Sequence, residues 1–478
     1  AEGHFYRVND GIYELINKED EINRETILKY ADNYKVCPFE MSLDVSLWVD
    51  LIICDYNYAF DPNVYLKRFF SDKKQDYVFL IDEAHNLVDR ASNMYSARLY
   101  KKDFLEVKKI IGKKSNKLSN KLSRSLDACN KDLLKWKKEW EGLKEVFDIS
   151  SFVFHLMNLL VLFTEFFENN PEIEEKDKVL QLYFDVMHFL NMYEGLNDKY
   201  LMYTDYSLEK DLVIKLYCVD PSDNLKNYLD KCKSTIFFSA TLLPIQYYRK
   251  MLGGRKEDYA IYAPSPFPSK NKLVMVGNEV SSKYSRRGEE EYRKIVEYIK
   301  SFTEGKVGNY LVFFPSYKML EDIALIASEK LSNIIIQNNS MNEEEREDFL
   351  GQFVKNPRIT KIGFCVLGGI FGEGIDLKED RRIGVVVVGT GLPMVESERE
   401  LLKDYYDKKS GEGFNYAYLY QGMNKVLQAG GRVIRTMEDK GAILLLDDRF
   451  LQKQYQELFP REWFPHTIIR RNQIEKAL

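Results

Sequence analysis

The sequence contains no phosphate-binding loop of the form G-x-x-x-x-G-K-[ST] in its 478 residues. In that motif a glycine-rich backbone surrounds the phosphates of a nucleotide, and the lysine reaches the outer phosphate groups. The nearest segments are Gly112-Lys113-Lys114 and Gly305-Lys306-Val307, and neither has the required spacing. We therefore expect the chain as given to bind a nucleoside triphosphate poorly.

Cysteine is scarce and scattered, and no two cysteines form a C-x-x-C pair. This distribution argues against a disulfide framework and favours a reducing compartment, so we expect the protein to be cytoplasmic. The sequence also has no H-E-x-x-H motif and no recognisable signal peptide. The six cysteines are Cys37, Cys54, Cys129, Cys218, Cys232 and Cys365.

The chain also lacks an excess of basic charge and a long uninterrupted apolar run. Its formal net charge is −5, so any surface that binds nucleic acid must be a local patch. The most apolar stretch, Phe152 to Phe167, contains His155, Asn158 and Glu165, which favours a core helix over a membrane span. A hydrophobic content of 45% and a charged content of 30% are typical of a soluble globular protein.

Among the features that are present, the segment from Val78 to His85 is the most informative. Four apolar residues run directly into Asp82 and Glu83, as expected for a buried parallel strand whose carboxyl end presents ligand-binding groups. At such an end Asp82 could hold Mg²⁺, and Glu83 could orient or deprotonate an attacking water. His85 could pass the nucleotide state to a second domain. The alternative is a core strand that ends in a polar turn.

A long helical block separates two α/β regions. From about Arg90 to Leu208 strand signals are absent, and apolar residues recur every three or four positions. Between Lys101 and Lys138 there are 13 Lys or Arg residues against 4 Asp or Glu residues. This local excess indicates either a solvated helix face or a surface that guides nucleic-acid phosphates. The apolar stripe consists of Leu118, Leu122, Leu126, Cys129, Leu133, Trp136 and Trp140.

The rest of the chain predicts an α/β fold with parallel sheets, because strand and helix patterns alternate. In the first region, Ser234 to Phe238 runs into Ser239-Ala240-Thr241, whose hydroxyl groups could contact a neighbouring acid and a facing domain. After the linker Ser265-Pro266-Phe267-Pro268, a second α/β domain begins near Lys272. The other predicted strands are Val49 to Cys54, Leu212 to Cys218, Tyr310 to Phe314, Asn333 to Gln337, Lys361 to Leu367, Ile383 to Gly389 and Ala442 to Leu446.

Two glycine-containing stretches in the second domain are candidates for chemistry. Gly368 to Asp376 is a glycine-rich turn after a strand, which permits close backbone approach to a ligand. In Gln428 to Arg435, a helix would place Gln428, Arg432 and Arg435 on one face. Its two adjacent glycines cost roughly 1 kcal/mol each inside a helix, so a close neighbour is expected to require them. The arginines suit phosphate recognition, and the alternative is a surface pair that forms salt bridges.

In this order, these elements resemble the iron–sulfur DNA helicases of the DinG/XPD type, which are superfamily-two motors with two RecA-like domains. The resemblance covers nearly the whole chain. Asp82-Glu83-Ala84-His85 is similar to the Walker B box, and Ser239-Ala240-Thr241 is similar to the coupling motif. The four segments that resemble the domain junction and the second motor domain are Ser265-Pro266-Phe267-Pro268, Phe313-Phe314-Pro315-Ser316-Tyr317, Glu373-Gly374-Ile375-Asp376 and Gln428 to Arg435.

The resemblance implies that Mg-ATP lies between the two motor domains and that its hydrolysis drives 5′ to 3′ movement on single-stranded or forked DNA. Asp82 would hold Mg²⁺ and Glu83 would activate water. Arg432 and Arg435 would reach the γ-phosphate as fingers. No membrane is implied. Further nucleotide-site residues would be His85, Gln428, Glu373, Gly374 and Asp376, and candidate DNA contacts are Tyr56, Asn57, Tyr58, Ser316 and Tyr317.

The resemblance also implies a domain organisation. Residues 1–90 would be a partial first motor domain whose residues 1–40 are a remnant of the iron–sulfur region. Residues 91–208 would be the helical arch, residues 209–268 the remainder of the first motor domain, and residues 269–478 the second motor domain. Cys37-Pro38-Phe39-Glu40 is similar to the segment that holds the last of four cluster cysteines.

In the family, the phosphate-binding loop and the other three cluster cysteines lie upstream of that segment. We therefore expect an amino-terminally truncated helicase that is inactive alone and that does not hold a [4Fe–4S] cluster, because Cys37 supplies one thiolate where four are needed. The alternative is a nucleotide-independent DNA-binding or regulatory protein that has a helicase-like fold.

Overall fold

The computed structural model describes residues 3–69, 76–113, 116–139, 142–170, 175–372, 384–431, 433–434 and 436–478. The chain forms two compact units, Ala1–Leu66 and Lys67–Leu478. The first unit is helical in its described part. The side chain of Asn23 accepts a hydrogen bond from the Thr26 backbone N–H at 3.0 Å and so caps the second helix. The four helices are α1 (His4–Lys18), α2 (Arg24–Tyr34), α3 (Pro38–Val45) and α4 (Asn57–Phe60).

The strand predicted from Val49 to Cys54 is wrong. This segment has no strand assignment, and Ile53 is 91% exposed. A strand exists only where a neighbour pairs its backbone N–H and C=O groups. No described residue pairs with this segment, so its apolar residues do not form a ladder.

The second unit begins with a pair of parallel strands, β1 (Val78–Ile81) and β6 (Ser234–Phe237), in which Ile81 is opposite Phe237. Both strands were predicted, but the burial predicted for Val78–Ile81 is wrong, because Val78 and Leu80 are 51% and 60% exposed. Because they run in the same direction and end at the same level, the residues that follow them meet at one edge. The helices next to these two strands in the sequence are α5 (His85–Met94), α10 (Ser222–Leu229) and α11 (Ile245–Met251).

A four-stranded antiparallel sheet lies between β1 and β6 in the sequence, which corrects two predictions. The stretch from Arg90 to Leu208 contains strands, and Leu212–Cys218 does not extend the parallel sheet. Only five residues join β4 to β5, and so short a connection permits antiparallel pairing alone. In spatial order the strands are β2 (Ala97–Tyr100), β5 (Leu212–Cys218), β4 (Tyr200–Tyr206) and β3 (Lys144–Glu145).

Four long helices accompany this sheet: α6 (Lys101–Gly112), α7 (Lys117–Glu139), α8 (Ser150–Asn169) and α9 (Lys176–Glu194). The predicted stripe on α7 is confirmed for Leu122, Leu126, Cys129 and Leu133, which are buried. By length and composition α8 is the one described helix that could cross a membrane. One face of α8 is nevertheless core, with Phe152, Leu156, Leu159, Phe163 and Phe166 buried.

The C-terminal part of this unit is a seven-stranded sheet in which every pair is parallel. The predicted strands are confirmed to within about two residues, while β7 and β13 had not been predicted. The central strands are buried on both faces, as continuous apolar sequence requires. In spatial order the strands are β13 (Thr467–Ile469), β7 (Lys272–Gly277), β12 (Gly441–Leu446), β11 (Gly384–Val388), β8 (Asn309–Phe314), β10 (Lys361–Val366) and β9 (Ile334–Ile336).

Helices cover this sheet, and their packing forms an apolar core around Ile295, Ile299, Phe314 and Leu444. A π-helical turn, Asn415–Leu419, directly precedes α16. The helices are α12 (Glu289–Glu304), α13 (Tyr317–Ala327), α14 (Glu343–Gly351), α15 (Ser397–Ser410), α16 (Tyr420–Gly431), α17 (Lys453–Gln456) and α18 (Ile474–Ala477).

Candidate functional site at the carboxyl end of β1 and β6

The turn after β1 presents two acids to solvent. The Glu83 backbone N–H donates to Asp82 Oδ1 at 2.7 Å, and both side chains are exposed. Glu83 has φ of 44°, a left-handed conformation that is uncommon outside glycine. The Ala84 N–H donates to the carbonyl of Phe238 at 3.1 Å, which ties this turn to the end of β6. The two acids therefore lie where parallel strands usually place ligand-binding groups.

Ser239, which follows β6, contacts two residues of the turn. Its hydroxyl donates to Glu83 Oε2 at 3.2 Å and lies 2.7 Å from His85 Nδ1. The Thr241 backbone N–H donates back to Ser239 Oγ at 3.2 Å, which fixes the hydroxyl in the turn. The predicted proximity of Ser239-Ala240-Thr241 to a neighbouring acid is therefore confirmed.

His85 links this turn to the C-terminal sheet domain. Its side chain is 1% exposed, and Nε2 lies 2.5 Å from Nε2 of Gln428 on α16. With the Gln428 amide as donor, Nε2 of His85 is the acceptor and Nδ1 carries the ring proton. A single chain of hydrogen bonds then runs from Gln428 through His85 and Ser239 to Glu83.

A second contact between α5 and α16 lies beside the first. Gln421 Nε2 donates to Asp89 Oδ1 at 2.9 Å, and Arg399 Nη1 on α15 donates to Gln421 Oε1 at 2.6 Å. His85 and Asp89 are four residues apart on α5, and Gln421 and Gln428 are seven residues apart on α16. Each pair therefore lies on one face of its helix. Sequence reasoning missed Asp89, Gln421 and Arg399, although the spacing of Gln421 and Gln428 was a possible signal.

Lys425 lies on α16 between the two glutamines. Its side-chain stem packs on the turn after β10, where a Cβ on Gly368 would lie 2.9 Å from Lys425 Cε. Gly368 has φ of +69°, so this turn requires glycine for conformation as well as for space. Burial and the nearby Arg399 guanidinium lower the pKa of Lys425, while the Asp89 carboxylate acts in the opposite direction.

Several predicted residues lie outside the described part of the chain, namely Glu373, Gly374, Asp376, Arg432 and Arg435. The prediction that one helix carries Gln428 through Arg435 is wrong, because α16 ends at Gly431 and neither Val433 nor Ile434 is helical. The expected close neighbour exists for Gly430, where a Cβ would lie 2.6 Å from a ring carbon of Trp463. At Gly431 no described atom would lie within 4 Å of a Cβ, so there the expectation is wrong.

The candidate DNA contacts have local structural roles. Ser316 Oγ accepts a hydrogen bond from the Met319 N–H at 3.3 Å and caps α13. Tyr317 is partly buried, and its hydroxyl accepts from Gln337 Nε2 at 2.8 Å. In the first unit, Tyr56, Asn57 and Tyr58 are also half-buried. Contact of these residues with DNA stays a prediction.

The described side chains fit the implied Mg²⁺ ion but do not fit the implied iron–sulfur cluster. A single strand-end carboxylate such as Asp82 suits Mg²⁺, which takes one or two carboxylates together with phosphate oxygens and water. Cys37 is exposed at the N-cap of α3. In the part of the chain that is described, no three His, Cys, Asp or Glu side chains cluster as a metal site. One thiolate does not fit a four-thiolate iron–sulfur cluster.

Comparison with known families gives two matches that include this site. Residues 4–104 match the family described as DEAD_2, and residues 299–466 match the family described as Helicase C-terminal domain. The first match contains Asp82, Glu83 and His85, and the second contains Gln428. The contact between His85 and Gln428 therefore joins the two matched regions, and Ser239 lies between these regions in the sequence.

Curated relatives are distant but extend over most of the chain. The ATP-dependent DNA helicase CHL1 of Vanderwaltozyma polyspora is 22% identical over 491 residues, which cover 91% of this chain and 58% of the relative. The ATP-dependent DNA helicase XPD of Sulfolobus acidocaldarius is 24% identical and covers 87% of this chain and 72% of the relative. The chain thus spans between 58% and 72% of the length of these relatives.

Solved structures establish the fold. A structure titled XPD helicase superposes with a TM-score of 0.60 at 20% identity and covers 95% of this chain and 79% of that one. Xpd4 of S. tokodaii gives a TM-score of 0.58 at 17% identity and covers 87% of this chain and 81% of that one. These structures show the fold, while the two family matches, which together include more than half of the chain, show that it belongs to the XPD/Rad3/DinG family of superfamily-two helicases.

Proposed function

We propose that this chain is the larger part of an ATP-dependent DNA helicase that couples ATP hydrolysis to 5′ to 3′ movement along single-stranded DNA and to duplex unwinding. The observation that carries the proposal is the position of His85, which contacts Ser239 at the end of β6 and Gln428 on α16. A group that touches both sheet domains next to two exposed acids is suited to relay a change at the acids into domain movement. The polarity follows from the family likeness alone.

In this mechanism the residues of the chain have separate tasks. Asp82 would hold Mg²⁺, and the ion would supply positive charge beside the transferring phosphoryl group. Glu83 orients the attacking water and accepts its proton. Because Ser239 donates to Glu83, a change in the charge of Glu83 alters the hydrogen-bond chain through His85 to Gln428. Arg432 and Arg435 supply positive charge from the second domain as fingers.

We further propose that the active protein contains more chain than these 478 residues. Parallel sheets are normally covered on both faces, yet among the described residues β1 and β6 form a sheet of two strands. Val78, Leu80, Ile236 and Phe238 are each between 43% and 60% exposed on this pair. Additional chain that covers them is also the expected source of the phosphate-binding loop, which the present sequence lacks.

The test is ATP hydrolysis with and without single-stranded DNA, measured on this chain and on the same chain extended by a segment of its gene that carries the phosphate-binding loop. We expect hydrolysis, stimulated by DNA, only in the extended protein. Hydrolysis by this chain alone would show that the phosphate-binding loop is dispensable. If neither protein hydrolyses ATP, the helicase proposal fails.

The second candidate is a DNA-binding or regulatory protein that has kept the motor fold without its ATPase, and the missing phosphate-binding loop favours it. The substitution Glu83→Gln in the extended protein separates the two candidates. A motor loses about 10²-fold or more of its hydrolysis rate when its general base is removed, whereas DNA binding persists. An unchanged, DNA-stimulated rate would contradict the role of Glu83.

A further inference from the structure

Helix α7 carries a row of exposed cations on the face opposite its core stripe. Lys117, Lys121, Arg124, Lys131 and Lys135 are all exposed and are spaced by four, three, seven and four residues. Such spacing keeps them on one side of the helix. We call these five residues the α7 basic ridge. At 1.5 Å of rise per residue, the ridge is about 27 Å long.

The acids nearest to the ridge do not neutralise most of it. Asp127 forms an ion pair with Lys108 of α6 at 2.7 Å. Asp132 is 6% exposed and contacts His155 of α8 at 2.7 Å, and among the ridge residues it reaches Lys135 alone, at 3.1 Å. Within the described residues, no ion pair involves Lys117, Lys121, Arg124 or Lys131. Neighbouring acids therefore leave most of the positive charge of the ridge unneutralised.

Another exposed helix of the same chain shows what a merely solvated charged face looks like. On α12, Glu289 pairs with Arg293 at 2.6 Å and Glu290 pairs with Lys294 at 2.9 Å, each four residues apart. Like charges four residues apart, as on the ridge, destabilise an isolated helix instead. A row of unneutralised cations in a chain of net charge −5 thus differs from the paired face of α12.

We propose that the α7 basic ridge binds the phosphate backbone of a nucleic-acid strand. The choice of DNA as that strand rests on the proposed function. The ridge suits phosphates because binding them needs cations and small polar groups. Between the cations, this face carries Asn120 and Ala128, with no large apolar side chain. A protein partner would require apolar or aromatic anchors at the centre of the contact.

The test measures binding of a fluorescent oligothymidylate to the full chain by anisotropy, without nucleotide, at several salt concentrations. The ridge variant carries Lys121→Gln, Arg124→Gln and Lys131→Gln, changes that keep good helix formers. We expect its affinity at about 0.1 M salt to fall roughly tenfold, and the slope of log K against log[salt] to become shallower by about two, since each lost single-strand phosphate contact removes about 0.7.

The matched control removes three cations that acids away from α7 already neutralise, in Lys102→Gln, Lys178→Gln and Lys294→Gln, whose partners are Glu209, Glu175 and Glu290. Its net charge equals that of the ridge variant, and we expect wild-type binding. Equal losses in both variants, no loss in the ridge variant, or no binding by the wild type would overturn the proposal. Binding to phosphatidylserine vesicles in place of the oligonucleotide would also overturn it. The binding assay uses no ATP, so its result does not depend on the outcome of the ATP hydrolysis assay that tests the helicase proposal.

Discussion

His85 uses its two ring nitrogens for two different parts of the molecule. Nδ1 lies beside Ser239 and Glu83, and Nε2 lies beside Gln428, which is 343 residues away in the sequence. A neutral imidazole can accept at one nitrogen and donate at the other, so it transmits a change in one partner to the other. No other side chain type offers this pair of functions on a rigid ring.

Gly430 and Gly431 form a matched pair for a test of packing at the end of α16. In Gly430→Ala the new methyl group would lie 2.6 Å from the Trp463 ring, and overpacking of this kind costs about 1–3 kcal/mol in the free energy of unfolding. In Gly431→Ala the methyl group meets no described atom within 4 Å, so we expect no loss and a gain of up to about 0.5 kcal/mol. Urea unfolding of the two variants checks both values, and equal stabilities would contradict the assignment of Trp463 as the obstacle.

At the scale of elements, the helical layer over the antiparallel sheet contains a half-buried acid, Asp103. Asp103 lies in the first turn of α6, where burial, and then the nearby Asp185 of α9, raises the pKa of its carboxyl group to about 6. The unfolded chain has an ordinary aspartate pKa near 3.9. Between these values the folded protein binds more protons than the unfolded protein does, so the stability conferred by protonated Asp103 is present below about pH 4 and is lost as the pH rises through 6.

We therefore expect Asp103→Asn to raise the melting temperature at pH 7 and to leave it nearly unchanged at pH 4. The variant should also show a flatter dependence of melting temperature on pH between these limits, because the group that titrates there is gone. The measurement is thermal unfolding across that range. Asp177→Asn, at an exposed first-turn aspartate of α9, is the control. A parallel shift of the Asp103→Asn curve at all pH values would contradict the prediction.

At the scale of the whole molecule, an aromatic cluster holds α11 against the helices of the C-terminal sheet domain. The ring of Tyr247 lies 5.0 Å from that of Tyr416 and 4.8 Å from that of Tyr420. Lys250 Nζ lies 4.9 Å from the centre of the Tyr416 ring, and Tyr406 stacks on the same ring at 3.9 Å. Burial raises the pKa of Tyr416 to about 12, so this hydroxyl stays protonated. The cluster and the His85 contacts are two separate links between the same two parts.

Truncation of the central ring should weaken that link. We expect Tyr247→Ala to lower the free energy of unfolding by about 3–5 kcal/mol, as for other buried aromatic residues, and to broaden or split the unfolding transition because the two parts lose a shared core. Differential scanning calorimetry measures both effects. Tyr259→Ala, at a residue that is 97% exposed, should change stability by less than about 0.5 kcal/mol. A single sharp transition in Tyr247→Ala would show that the cluster does not couple the two parts.

Local pattern predicted much of this architecture. The apolar run Val78–Ile81 followed by acids, the strand Ser234–Phe237 followed by hydroxyl residues, the stripe on α7 and five strands of the C-terminal sheet are all present. Each depends on neighbours a few residues apart, whose side chains alternate with the period of a strand or a helix. The charge excess that led to the α7 basic ridge was likewise visible in the sequence.

What the sequence by itself determined was therefore the parallel α/β character, the long helices of the insertion without its antiparallel sheet, and the position of the acids at a strand end. The tertiary structure alone decided which distant groups meet. Gln421 and Asp89 are 332 residues apart, and no local pattern encodes their contact. Likewise, Val49–Cys54 is apolar enough for a strand but has no described partner to pair with, whereas Leu212–Cys218 pairs with the strand to which a short turn joins it. A strand or an interdomain contact forms only when a second segment pairs with its hydrogen-bonding groups. The packing of the whole chain determines which segment lies close enough to do so.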